Sequence, residues 1–244
     1  TEFSLEKSKL VLIFIALLII ATMSVVSIIL LPDLLALSGI EISGLPDPST
    51  TFVLADYWGD LTLYIFITIL YGMGIFSSEI DNNKPIYFKL SRPVSRRSYY
   101  LIRSLIRIVG FFIISTLTSL YVYFFSSLYF DTLDLASVIL SSVIISLSLV
   151  SFLSVVIMAS AKFRTLVSDV IGISFFFFQI LTFLFQSAFE WLKWINPLSL
   201  STIWKNIIGN IAESGEILTT IVALCIWIIV PTTLGLLMFV KRDI

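Results

Sequence analysis

The sequence predicts an all-α membrane protein that crosses the bilayer six times and keeps both termini in the cytoplasm. Three observations lead there. Six long apolar stretches are nearly free of charge, mean hydropathy over 244 residues is +1.06, and Lys and Arg gather on the segments facing one side. With 58% hydrophobic and 13% charged residues, the chain has more apolar surface than a water-soluble domain of this length can hide.

A helix needs about 20 apolar residues to cross the hydrocarbon core, because its backbone polar groups must be bonded within the segment. Six windows qualify: Leu10–Leu31, Leu61–Phe76 with polar extensions, Ile108–Phe130, Leu135–Ala161, Val170–Phe189 and Ile217–Val240. With their flanks they predict spans at about 10–31, 56–77, 106–130, 135–161, 166–187 and 217–240 in a single transmembrane domain, residues 1–244. No apolar/polar alternation over stretches of about 10 residues occurs, which argues against a β-barrel. The first apolar run is too long for a signal peptide and lacks a small-residue cleavage site.

Orientation follows from charge. One side carries 13 Lys and Arg (Lys7, Lys9, Lys84, Lys89, Arg92, Arg96, Arg97, Arg103, Arg107, Lys162, Arg164, Lys241, Arg242) against five acidic residues. The other carries Lys193 and Lys205 against ten acidic residues. Positive charge stays cytoplasmic during insertion, so both ends are predicted inside a plasma or inner membrane.

The chain has no His and one Cys, Cys225, inside the last apolar run. That removes Ser-His-Asp and Cys-His catalysis, His-built metal sites and internal disulfides. No phosphate-cradling G-x-x-x-x-G-K-[ST] or G-x-G-x-x-G motif is present. The net charge of −1 suggests no nucleic-acid partner. No catalytic centre, cofactor or metal is therefore expected in this chain.

Between spans 1 and 2, the acidic loop Pro32–Asp60 reads as a solvated cap, without the spacing of a calcium loop. After span 2, residues 79–97 read EIDNNKPIYFKLSRPVSRR. Asp81-Asn82-Asn83-Lys84-Pro85 is a turn signal, and Pro85 can open a helix. Ile86, Tyr87, Phe88 and Leu90 with Lys89 and Arg92 make a short amphipathic piece that Pro93 stops. A second helical run with Arg96, Tyr99, Tyr100, Arg103 and Arg107 leads into span 3. Residues 79–92 suit either an interfacial helix on anionic headgroups or an aromatic-tipped docking knob that passes a partner's push into two spans.

A family resemblance rests on residues in this order. Glu79 lies about one turn beyond span 2, and Pro93-Val94-Ser95-Arg96 is followed closely by Tyr. Ile195-Asn196-Pro197 follows span 5, and Phe239-Val240-Lys241-Arg242-Asp243-Ile244 ends the chain. Together these resemble the permease subunit of ABC-2-type transporters. The resemblance implies the ABC-2-like (type V) exporter fold, with an elbow helix before span 1 and a coupling helix between spans 2 and 3. It also implies re-entrant helices at 186–210. It implies two cytoplasmic ABC ATPase subunits, which would bind ATP and Mg, and a second permease, identical or homologous. The ATPase-coupling residues would be Glu79, Lys84, Ile86, Tyr87, Phe88, Lys89 and Arg92. Two departures stand out: Asn82-Asn83-Lys84-Pro85 occupies the place of the family's usual Gly-Thr pair, and only Thr1–Lys9 could form the elbow.

Polar residues inside the spans complete the reading. Asp169 interrupts span 5 near its inner end, where a carboxylate costs a few kcal/mol unless paired or hydrated. It is expected to pair with Lys162, Arg164, Arg103 or Arg107, or to form an inner-mouth charge with Arg103 and Arg107. Phe178, Gln179, Phe183 and Gln186 are the candidate pathway-lining residues of span 5; the glutamines alternatively bond neighbouring helices. Serines on span 4 (Ser141, Ser142, Ser146, Ser148, Ser151, Ser154) read as close-packing positions, and Pro231 predicts a kink in span 6. Trp191 and Trp194 belong to an interfacial turn before Asn196-Pro197. A secondary transporter or capture subunit without an ATPase is the competing class, and an intramembrane enzyme suffers from the missing His.

Overall fold

The computed structural model describes residues 2–38, 49–59, 61–77, 95–186, 188–189 and 191–241; for 2–8, 31–38 and 61–63 only the backbone is described. Every regular element among them is helical: α1 (Glu2–Ser38), α2 (Thr50–Gly59), α3 (Leu61–Gly72), α4 (Arg96–Ser126) and α5 (Leu135–Lys162). Then come α6 (Thr165–Phe185), three short helices α7 (Leu192–Ile195), α8 (Pro197–Ser201) and α9 (Trp204–Ile208), and finally α10 (Ser214–Val240). Among the described residues five helices are long and apolar enough to cross a membrane, namely α1, α4, α5, α6 and α10.

The sixth expected span departs from its predicted form. Instead of one helix over 56–77, Thr50–Gly59 and Tyr64–Gly72 form a pair bent by 44°. Residues 50–59, expected within a solvated acidic loop, are helical. Val53, Leu54, Tyr57 and Trp58 recur there at helical spacing and are all buried, while Asp56 faces out. Another departure concerns the elbow. α1 is continuous from Glu2, so residues 2–9 belong to the same helix as span 1 and form no separate elbow, and it runs on past the predicted Leu31 limit to Ser38.

Side-chain contacts fix the direction of each helix. Leu10 lies against Gly110, and the Thr22 hydroxyl against that of Tyr121, so α1 and α4 run parallel. The Thr50 N–H donates to Asp131, the Trp58 indole to Ser119, and Arg107 to the Tyr71 carbonyl. These pairs run in opposite order along the two partners, so the bent α2–α3 pair lies antiparallel to α4 over its length. Ser151 and Ser154 meet the carbonyls of Leu224 and Trp227, which makes α5 and α10 parallel. Lys9, Arg107, Lys162 and Lys241 thus gather at one end of the bundle, the basic end. Asp131, Asp134, Glu213 and Glu216 gather at the opposite end.

α5 is the hub. Its most apolar stretch is 83% buried, against 17% to 33% for the other four long helices. It packs on α10, α4, α3, α6, α8 and α9. Small residues make this possible. Ser141, Ser142, Ser146, Ser148, Ser151 and Ser154 are all fully buried, as their reading as close-packing positions expects. A Cβ at Gly72 would collide with Val156 of α5, and one at Gly172 would press on Ile69 at 3.3 Å. The ends of α5 are set locally: Asp134 caps its N-terminus by accepting from the Ser137 N–H at 2.9 Å. α10 continues through Pro231 as one helix.

Candidate functional site

At the basic end, four aromatic rings close around one point. Phe76, just past α3, stacks on Tyr100 of α4 with ring centres 4.9 Å apart. Phe239, in the last turn of α10, lies 5.1 Å from Phe76 and 5.6 Å from Tyr100. Tyr99 completes the group at 6.1 Å from Phe239, and the Arg103 guanidinium covers Phe76 and Tyr99 at 5.7 and 5.8 Å. Phe76, Tyr100 and Phe239 are buried.

The local sequence explains this junction. α3 ends in a turn where Gly74 adopts φ 70°, a conformation other residues resist. α4 starts sharply because the Ser95 hydroxyl accepts from the Ser98 N–H at 3.1 Å. The first turns of α4 then carry Tyr99, Tyr100 and Arg103 on one face. The predicted coupling residues Glu79, Lys84, Ile86, Tyr87, Phe88, Lys89 and Arg92 lie outside the described residues. What is described is the clamp holding the two flanks of that segment against α10.

Arg107 sits one turn deeper, 2% exposed, with its guanidinium 4.9 Å over the Tyr71 ring and donating to the Tyr71 carbonyl. That carbonyl belongs to the last turn of α3, where helix carbonyls lack internal partners and the helix dipole favours a cation. Arg103 donates to the Tyr99 hydroxyl. Asp169 is half-buried, one turn into α6. α4 and α6 both pack on α5, with little packing between them.

At the other end, the predicted re-entrant region 186–210 forms the three short helices α7–α9. Asn196 turns the chain: its side-chain oxygen accepts from the Leu198 N–H at 2.9 Å, and Pro197 occupies the first position of α8. The Asn196 amide also donates to the Gln179 carbonyl at 2.8 Å and to the Thr182 hydroxyl at 2.9 Å. Ser148 donates to the Pro197 carbonyl at 2.8 Å, and the Trp227 indole to the Trp194 carbonyl at 3.3 Å. Ser148 and Trp227 are near the midpoints of α5 and α10. The turn at Asn196-Pro197 therefore reaches about half-way down the bundle.

The four candidate residues of span 5 separate. Phe178 is exposed, Phe183 and Gln186 are half-buried, and Gln179 is buried at 1% exposure. Gln179 thus faces its own bundle and shares no outward face with Phe178. Its side-chain Oε1 and Nε2 have no hydrogen-bond partner among the described residues.

Phe183 lines a cavity of about 410 Å³ between α2, α6 and α8–α9, together with Ala55, Trp58, Leu198, Trp204 and Lys205. The edge of one indole meets the other here, Trp58 and Trp204 being 4.9 Å apart. Trp58, Trp204 and Lys205 were not legible as site residues from sequence; the helical recurrence of apolar positions over 50–59 was the available signal.

Neither a protein-family model nor a curated protein sequence matches the chain. Among the described residues, no group of three or more His, Cys, Asp or Glu could hold a metal ion.

Proposed function

We propose that this chain is the six-span permease subunit of an ATP-driven ABC exporter, with both termini cytoplasmic. It would form the translocation path with a second permease and take its motion from a separate ATPase. The observation that carries this reading is the junction of Phe76, Tyr100 and Phe239. Both flanks of the 79–92 segment are locked to the same point of α10, so a displacement of that segment reaches α3, α4 and α10 together. Such a linkage is what an input from nucleotide-driven closure requires, because a discrete mechanical element must feel the ligand's differential contacts.

Further support comes from the turn at Asn196-Pro197, which descends half the length of α5 as the re-entrant helices of an ABC-2 permease would. The pattern of alternating helix directions, counting α2–α3 as one bent span, agrees with basic residues facing the cytoplasm. Cargo would leave the cell by alternating exposure of a central path, and the ATPase would hold ATP and Mg.

The test is whether a neighbouring reading frame encodes an ABC ATPase and whether the intact chain purifies with it. Co-purification that is lost on Tyr87→Ala with Phe88→Ala supports the reading. A complex that survives both changes, or a chain that pairs with no ATPase, overturns it.

One observation favours a second reading, a secondary transporter. The 44° break between Thr50–Gly59 and Tyr64–Gly72 is the kind of interrupted span that builds midplane sites in such proteins. Transport driven by an ion gradient in ATP-free vesicles would select it.

A further inference from the structure

We propose that the cavity between α2, α6 and α8–α9 binds an anionic phospholipid, with an acyl chain along Trp58, Phe183 and Trp204 and the phosphate at Lys205. The inference depends on the membrane setting and not on the ATPase, so the absence of an ATPase partner would leave it standing.

The cavity's volume, about 410 Å³, lies in the range of small-molecule sites, which run from roughly 300 to 1,000 Å³. Its walls offer almost only carbon. The Trp58 N–H is already committed to the Ser119 hydroxyl at 3.3 Å, and the Thr202 hydroxyl to the Ser199 carbonyl at 2.7 Å. A space of this character takes an apolar occupant in preference to water.

Among the described residues, Lys205 supplies the one charge on the lining. Its ammonium stands 5.7 Å from the centre of the Trp204 ring, and no acidic partner bonds it among the described residues. Asp56, on the neighbouring turn of α2, is exposed and does not line the cavity. The Trp58–Ser119 bond puts this level seven residues short of the Ser126 end of α4, about 10 Å along the helix. A lysine rooted at that depth is costly without a counter-ion, although its stem can reach toward the surface. An anionic headgroup supplies that counter-ion, and a zwitterionic one places a second cation beside it.

The source of the occupant is the bilayer. Leu181, Leu184 and Phe185, which flank Phe183 on α6, are exposed apolar residues of the kind that face lipid. Trp58 and Trp204, on the cavity wall, make it readable by fluorescence.

The full chain is reconstituted in phosphatidylcholine nanodiscs, and its tryptophan emission is followed while dibrominated phosphatidylglycerol is added. A parallel series receives dibrominated phosphatidylcholine. Saturable quenching is expected at about fivefold lower mole fraction for the anionic lipid, the scale of one lysine–headgroup attraction. Lys205→Gln should erase that preference and Lys205→Arg should keep it. Ala55→Phe, which fills the cavity, should reduce the saturable component for both lipids. Equal quenching by the two lipids in the unaltered chain, or an anionic preference that survives Lys205→Gln, means annular contact only and overturns the proposal. If Ala55→Phe fails to fold, the Lys205 variants alone decide between the two outcomes.

Discussion

The Ser154 hydroxyl lies 2.9 Å from the carbonyl oxygen of Trp227, four residues before Pro231. Proline has no N–H, so the Trp227 carbonyl loses the helical partner that residue 231 would otherwise provide. In hydrocarbon an unpaired carbonyl is costly, and α5 answers the gap from outside α10. The same hydroxyl also approaches the Ser151 carbonyl of its own helix at 2.7 Å, so the hydrogen is shared between two acceptors. Ser154→Ala should lower stability by about 1 kcal/mol. In a Pro231→Ala background the N–H returns, and Ser154→Ala should then cost nearly nothing. Unfolding in mixed micelles measures the cycle; an unchanged serine effect would mean that the hydroxyl does not compensate for the proline.

Arg107 closes α3 from α4. A buried cation that bonds the last-turn carbonyl of Tyr71 satisfies an acceptor and complements the negative end of the helix dipole. Arg107→Met removes the guanidinium from that carbonyl and from the face of the Tyr71 ring, and should cost about 2 kcal/mol. Arg107→Lys keeps the charge but loses the planar fork, so it should recover only part of the loss. If the lysine and methionine variants unfold alike, charge at this helix end contributes nothing.

Much of this fold was readable because a membrane imposes one strong rule. Uninterrupted apolar runs had to be helices, and α1, α4, α5, α6 and α10 appear where hydropathy put them. The buried serines of α5 were readable for the same reason, since small polar residues on a membrane helix mark close packing. What hydropathy could not register was a helix whose acidic residues face outward. Asp56 made residues 50–59 look solvated, while Val53, Leu54, Tyr57 and Trp58 on the other face are buried. For Gln179 the sequence left two readings, a pathway lining or a bond to a neighbouring helix, because which face of α6 turns inward depends on how α7–α8 fold back, and that is a long-range property. The junction of Phe76, Tyr100 and Phe239 was likewise invisible, because it joins residues from three distant parts of the chain.

At Gly235 α10 packs closely on α5 and on Tyr100 of α4. A Cβ built there would stand 3.0 Å from the Met158 α-carbon and collide with the Tyr100 hydroxyl. Gly235→Ala should therefore destabilise by about 1–3 kcal/mol through overpacking, against its better helix propensity. Because the clash involves Tyr100, the same change should loosen the ring junction at the basic end. Tyr100→Phe, which deletes the oxygen, should recover part of the loss in the alanine background. Independent, additive effects of the two substitutions would show that the methyl group is accommodated elsewhere.

Gln179 presents the opposite problem, a buried polar group with nothing to bond among the described residues. Its carbonyl is used by Asn196, but neither side-chain polar atom has a partner there. A desolvated amide without hydrogen bonds costs about 1–3 kcal/mol, whereas an apolar side chain of similar length costs nothing of that kind. Gln179→Met should therefore raise the unfolding free energy by about 1 kcal/mol. The stabilised variant also separates two reasons for retaining the amide. If it serves another conformation of the transport cycle, Gln179→Met should slow cargo movement while the chain becomes harder to unfold. If transport is unchanged, the glutamine is a tolerated burden on α6. A fall in stability would mean that the amide is bonded in the folded protein, and that α6 sits differently against α7 and α8.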